Sequence, residues 1–312
     1  MHAIEIEDLS KDYAVGFWKK RLRPALKPLN LNVEAGETFG FLGPNGAGKT
    51  TTLKLLMGII FPTSGSAKIL GKDCLDPEVK QKIGFLPEQP YFYDYLSAPE
   101  LLDYYGRLSG MSATERKERI VKLLDRVGLS DVGSKHLRKF SKGMLQRVGI
   151  AQAIIHDPQV VFLDEPMSGL DPVGRYEVRE LIQALKDEGK TIFFSTHILS
   201  DAEALCDRVA VIHKGELRGV GVVNDFRSSI AEQTEVIWLS AGALAAVTNL
   251  LTDTHVTGDT VRGTVKSADL DRLLEKLRQQ GARLISVTPI HRTLEDYFMS
   301  KTREETKETV SL

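Results

Sequence analysis

The chain has 312 residues, enough for one large domain and a smaller one. Its 41 Lys and Arg against 42 Asp and Glu leave a formal net charge of -1, so no overall field draws it toward nucleic acid or anionic lipid. Two cysteines, Cys74 and Cys206, give neither a disulfide framework nor a metal spacing, which fits a reducing compartment. The charged start "MHAIEIEDLSKDY" does not read as a signal peptide, and no apolar run nears the ~20 residues that cross a bilayer. Any service to a membrane is expected to go through a partner.

In chain order, "AIEIEDL" alternates apolar and acidic residues and predicts an exposed strand. The basic stretch "GFWKKRLRP" reads as an inserted loop, either solvated or near lipid headgroups. "LNLNVEAGETFGFLG" predicts two strands around the turn cluster Glu34 to Glu37. A helix follows at "KTTTLKLLMGII", with Leu53, Leu56, Met57 and Ile60 at helical spacing. "FPTSGSAKILGKD" is punctuated like a hairpin, and "IGFLPEQP" is a short strand that ends on Pro87.

Residues 97 to about 129 turn helical, with Ile120, Leu123, Leu124 and Val127 on one face. "QVVFLDEP" and "KTIFFSTH" are continuous apolar runs, as parallel strands buried on both faces require. A helix over about 173 to 188 joins them as a βαβ crossover. The texture changes after Asn224. "EVIWLS", "TVRGTV" and "RLISVTP" read as strands of a small sheet, "SADLDRLLEKLRQQG" as a helix stopped at Gly281, and Thr293 to Asp296 as the cap of a last helix.

Four places carry chemistry. "GPNGAGKT", Gly43 to Thr50, lies between a strand and a helix and matches the pattern whose backbone N–H groups wrap a β-phosphate. Lys49 would set a point charge on the β/γ oxygens and the Thr50 hydroxyl would ligate Mg²⁺. "VVFLDEP" ends in two carboxylates: Asp164 suits the Mg²⁺ shell and Glu165 suits a general base on the attacking water. His197, closing "FFSTH", suits a bond to the γ-phosphate or to that water. A second phosphate-ready turn, Ser141 and Gly143 in "FSKGMLQR", stands before an amphipathic helix about a hundred residues later.

"GPNGAGKT", "FSKGMLQR", "VVFLDEPMSGLD" and "STH", in this order and spacing, resemble the nucleotide-binding subunit of ABC transporters. The resemblance covers roughly the first 220 residues and implies an α/β P-loop NTPase fold. It places an ABC-type ATP-binding domain over 1–224, with a helical subdomain over about 95–158. A small α+β domain over 230–300 then looks like the C-terminal extension of subunits whose permease is a separate chain, and 301–312 reads as a polar tail. The resemblance implies an ATPase with Mg²⁺ that dimerises around two ATP and drives a separate membrane permease, most often an exporter. It sits on the inner face of the cell membrane, with no nucleic acid expected. The alternative is a soluble ABC-type ATPase acting on ribosome or DNA. Such proteins usually carry two ATPase domains or long insertions, and this chain has one set of motifs.

Residue by residue, the resemblance assigns the nucleotide to Gly43, Pro44, Asn45, Gly46, Ala47, Gly48, Lys49, Thr50 and Thr51. Tyr13 stacks on adenine. Lys49, Glu165 and His197 do the chemistry, and Thr50, Asp164 and Gln89 hold the metal. Ser141, Gly143 and Gln146 bind the ATP held by the phosphate loop of a second subunit, which explains two phosphate sites in one chain. Met167 to Asp171 looks like the segment linking the two sites. Two departures stand out. The usual Leu-Ser-Gly-Gly-Gln wording is broken by Lys142, Met144 and Leu145, and the expected glutamine after "GFLP" has two candidates, Glu88 and Gln89. The aromatic run "YFYDYLSAPE" is either internal packing or the face that receives a permease helix.

Overall fold

The alternation at the start of the chain closes into a hairpin. Strand β1 (His2–Val15) pairs antiparallel with β2 (Arg21–Glu34), and its other edge pairs with β4 (Ser64–Ile69), so the sheet runs β2-β1-β4-β5. The apolar alternates of β1, Ile4, Ile6 and Leu9, are buried in a core that also takes in Phe41, Leu53 and Leu56. The expected exposed strand has the right period and the wrong exposure. Strand β5 is Lys72–Asp73, reached through a two-residue turn in which Leu70 and Gly71 both have positive φ, 51° and 78°. That is the mirror-image turn that matches the twist of a hairpin. Arg21 to Arg23, expected in a loop, belong to β2. Residues 17–20 of the same basic stretch lie outside the residues described, which are 1–16, 21–224 and 233–290 of the computed structural model.

The second sheet carries the chemistry. Strands β3 (Thr38–Leu42), β6 (Ile83–Leu86), β7 (Val160–Asp164), β8 (Thr191–Thr196) and β9 (Arg208–His213) are parallel, and β10 (Glu216–Val222) pairs antiparallel with β9. The order is β10-β9-β3-β8-β7-β6. Every residue of β3, β7 and β8 is buried, as the apolar runs require of strands covered on both faces. Phe39, Phe41 and Phe162 ring Phe193, with centroids 5.4–5.9 Å away.

Helix α1 (Lys49–Leu56) leaves the end of β3; it stops four residues before Ile60, which the spacing had included. After the short α2 (Pro77–Lys80) come α3 (Ala98–Leu108), α4 (Ala113–Arg126) and α5 (Lys142–Ala153), all between β6 and β7. Ser97 and Glu100 form the capping box that starts α3, and Ile120, Leu123, Leu124 and Val127 bury the predicted face of α4. Helix α6 (Pro172–Asp187) makes the βαβ crossover from β7 to β8, and α7 (Leu199–Leu205) follows β8.

These elements form one compact unit, Met1–Val223; a second spans Asn224–Leu312. Its sheet runs β12-β13-β11-β14, all antiparallel: β11 (Gln233–Leu239), β12 (Leu251–Thr257), β13 (Thr260–Lys266) and β14 (Arg283–Ile290). The short α8 (Leu244–Val247) and α9 (Leu270–Gln279) lie on one face. Strand β12 was not read from sequence. The expected last helix at 293–296 and the polar tail lie outside the described residues.

Trp238 is fully buried at the centre of this second core, against Val261, Leu273 and Leu277. Removing a buried indole deletes its burial and leaves a cavity, so Trp238→Ala should destabilise the second unit by about 3–5 kcal/mol. Urea denaturation followed by circular dichroism measures it; a loss below ~1 kcal/mol would mean that this core collapses around the gap.

Candidate active site

The phosphate loop is built by a buried strand that stops and a helix that starts. Strand β3 ends at Leu42, residues 43–48 turn, and α1 begins at Lys49. The turn needs a glycine at its end: Gly48 has φ 113°, and a Cβ there would lie 2.8 Å from the Ala25 carbonyl oxygen. Helix α1 has no side-chain N-cap and no acidic residue in its first turn. Its free N–H groups and positive dipole end are left for an anion.

Lys49 is almost fully buried. Its ammonium donates to the carbonyl oxygens of Gly43 and Pro44, at 2.6 and 3.3 Å, and sits 3.1 Å from Glu165 Oε1. The two carboxylates come from the end of β7. Parallel pairing sets Asp164 beside Ser195 of β8, and the Ser195 hydroxyl donates to Asp164 Oδ1 at 2.5 Å. The same hydroxyl and the Ser195 carbonyl both accept from the Glu165 N–H, at 3.1 Å. Burial raises the proton affinity of Asp164, and hydrogen bonds from Ser195 and Thr50 oppose the shift.

Glu165 has φ 49°, a left-handed conformation that costs a residue with a Cβ. The Ser195 bonds and the Lys49 ion pair hold it there. Its other oxygen, Oε2, is 2.8 Å from His197 Nδ1. An ionised carboxylate only accepts, so Nδ1 carries the proton in this contact. Glu165 Oε1, although ion-paired to Lys49, is buried without a hydrogen-bond donor.

A cleft of about 300 Å³ opens over these groups, lined by Asn45, Gly46, Lys49, Thr50, Glu88 and Glu165 among others. A neighbouring cleft of about 380 Å³ shares Ala25 and Gly46 with it and reaches Tyr13, Lys214 and Gly215. Tyr13 is 40% exposed, with Lys11 Nζ 5.4 Å from its ring centre. Of the two candidates after β6, Glu88 lines the cleft, whereas the Gln89 side-chain oxygen accepts from the Tyr91 hydroxyl at 3.2 Å. Ser141, Gly143 and Gln146 are not among the residues lining either cleft. They occupy the N-terminal turns of α5, where Ser141 Oγ accepts from the Met144 N–H at 3.2 Å. Asp171 caps α6 by accepting from the Gly174 N–H at 2.8 Å.

The family profile described as "ABC transporter" matches residues 26–168. An ABC transporter ATP-binding protein of Synechocystis is 48% identical over 305 residues, covering 97% of this chain and 85% of that protein. The ABC transporter ATP-binding protein NatA of Bacillus subtilis is 42% identical over 226 residues, 71% of this chain and 92% of that one. The chain belongs to the ATP-binding proteins of ABC transporters. Among solved structures, the ATP-binding subunit of an ABC transporter is 32% identical with a TM-score of 0.62, over 72% of this chain and 92% of that one. A dimeric post-hydrolysis ATP-binding cassette bound to ADP and Pi is 28% identical with a TM-score of 0.64, over 70% and 98%.

This ABC ATPase has the P-loop NTPase fold, and its reaction is ATP hydrolysis. Its magnesium-side residues fit the ion. The buried Asp164 carboxylate, tied to the Thr50 and Ser195 hydroxyls, is a hard-oxygen set without thiolate or imidazole. Among the described residues no three acidic, histidine or cysteine side chains gather into a metal cage. Sequence reasoning missed Ser195, because its role depends on the β7–β8 register. It also missed the Lys214–Gly215 turn, whose only signal was a Lys-Gly pair between apolar runs.

Proposed function

We propose that this ATPase works as a homodimer around two ATP, driving a separate membrane permease from the cytoplasmic face, in the export direction. Among its relatives are a bacitracin transport ATP-binding protein, BcrA of Bacillus licheniformis, 43% identical over 69% of this chain, and the dimeric cassettes. No helix among the described residues is long and apolar enough to cross a membrane.

In this reading, Gly43 to Thr50 wrap the β-phosphate, Lys49 neutralises the β/γ oxygens, and Tyr13 stacks on adenine. Thr50 and Asp164 hold Mg²⁺, with Glu88 at the cleft as the side chain between site and permease. Bound Mg²⁺ supplies positive charge to the β- and γ-phosphate oxygens. Glu165 accepts the proton of the attacking water, and His197, bonded to Glu165, orients it toward the γ-phosphate. The strained backbone of Glu165 keeps this carboxylate aimed into the cleft.

The observation that supports the hydrolytic part of this reading is the chain of contacts Lys49–Glu165–His197, at 3.1 and 2.8 Å, which suits a phosphate-binding charge, a base and an orienting imidazole. Lys49→Ala should bind ATP weakly and lose turnover at least ~100-fold, the size of one electrostatic contact to the transferring group. A phosphate-release assay reads it; wild-type turnover in Lys49→Ala would remove the assignment of the loop.

A further inference from the structure

The β9–β10 hairpin, at the edge of the second sheet, turns against the phosphate loop and carries a lysine where turn chemistry does not call for one. Lys214 and Gly215 join the two strands, with His213 paired to Glu216. Both turn residues have positive φ, 50° and 77°. This mirror-image turn favours Asn-Gly or Asp-Gly, and a lysine at its first position is held in a conformation that costs it.

The turn is fixed from two sides. The Gly215 N–H donates to the Ala47 carbonyl inside the phosphate loop at 2.8 Å, and the Gly215 carbonyl accepts from the Lys27 N–H of β2 at 2.7 Å. Lys214 is thereby held one residue from a bond to the loop. It lines the cleft of about 380 Å³ together with Tyr13, Arg23 and Gly46. Glu216, the nearest carboxylate in sequence, is engaged by Lys27 at 2.7 Å and by Arg218 at 3.4 Å. Among the described residues the Lys214 ammonium has no carboxylate partner, and no acidic side chain lines this cleft. Two cations and no acid make it a place for an anion.

We propose that Lys214 is a further nucleotide-binding residue, acting on the α-phosphate of the nucleotide held by its own chain. The inference rests on the reading above, in which Gly43 to Thr50 take the β-phosphate and Tyr13 takes the base. Between those two ends lie only the α-phosphate and the ribose, and of these only the α-phosphate is an anion. The cleft that Lys214 lines shares Ala25 and Gly46 with the phosphate cleft and reaches Tyr13, so it spans that interval. An unpaired ammonium anchored there accounts for a lysine kept in a left-handed turn.

The test uses the full chain, with ADP affinity read by equilibrium dialysis and stability by urea denaturation. Lys214→Asn removes the charge and installs the residue that the turn prefers. It should weaken ADP binding about tenfold, as loss of a charged hydrogen bond would, while the urea midpoint stays level or rises. ATP affinity in a Glu165→Gln background should fall by the same factor, because both nucleotides carry the α-phosphate. Lys214→Arg should bind like the parent, and added salt should weaken the parent more than Lys214→Asn. A turn that only braces the loop predicts the opposite, with Lys214→Asn binding at least as tightly as the parent, and that result overturns the proposal. It falls equally if Lys214→Arg loses as much affinity as Lys214→Asn, or if ATP binding weakens and ADP binding does not. If Lys49→Ala binds ADP like the parent, the nucleotide reading of the loop itself falls, and this inference with it.

Discussion

Glu165→Gln should bind ATP and cleave it about 10²–10⁴-fold more slowly, the usual worth of a positioned general base. The amide keeps the shape and most hydrogen bonds of the carboxylate but accepts no proton. The Lys49 ion pair at 3.1 Å and the His197 contact at 2.8 Å are both made by carboxylate oxygens. The substitution therefore also weakens the tie on the left-handed backbone of Glu165. Single-turnover assays separate the two effects. A slow cleavage step with ATP affinity retained marks the base, whereas equal loss of binding and cleavage would mark a structural carboxylate. With ATP retained, this variant should accumulate as an ATP-dependent dimer, with the permease raising effective concentration where the free subunits associate weakly.

Ser141→Arg should dismantle that dimer and spare nucleotide binding by the monomer. Ser141 lies outside both clefts that surround the phosphate loop of its own chain, so an arginine there is expected to leave the resident nucleotide in place. It fills the space where a partner's phosphate would sit and removes the Ser141 cap on the Met144 N–H, worth about 1 kcal/mol. Turnover should fall by at least ~100-fold, since the composite site loses contacts to the transferring group. Equilibrium dialysis of the monomer should show wild-type ATP affinity. Loss of that affinity in folded protein would place the loop in cis.

Much of this site is legible in the sequence because its parts are local. A glycine-rich turn between a buried strand and a helix needs only the letters from Thr38 to Leu56, and the all-apolar runs before Asp164 and His197 announce strands buried on both faces. What the letters do not hold is register. Ser195 serves Asp164 and the Glu165 N–H only because β7 and β8 pair with those two residues side by side. The choice between Glu88 and Gln89 depends on which way the chain turns after Pro87. The left-handed backbone at Glu165 has no local signature either. Glutamate is not a residue chosen for that conformation, and tertiary bonds impose it.

Exposure fails for a related reason. The alternation in "AIEIEDL" reads as an exposed strand, but its apolar face is covered by a core that includes Phe41, Leu53 and Leu56, which the letters of one strand do not show. Strand β10 sets Gly219 and Gly221 among charged residues, and β12 mixes Asp253 and His255 with threonines, so neither shows a clean period. The hairpins show only in the Lys214–Gly215 and Gly258–Asp259 turns that pairing reveals.

The account stands or falls on one active site being assembled from two chains. Two variants in the Glu165→Gln background test it most directly, one with Lys49→Ala and one with Ser141→Arg. Neither should dimerise alone, because the first binds ATP too weakly to fill its site and the second cannot receive a partner's phosphate. Mixed, they can form one intact site, from the Lys49 loop of the Ser141→Arg chain and the Ser141 turn of the Lys49→Ala chain. Sedimentation with nucleotide counting should find an ATP-dependent heterodimer carrying one ATP. A mixture that stays monomeric, or a Ser141→Arg variant that dimerises alone with two ATP, would contradict the shared site.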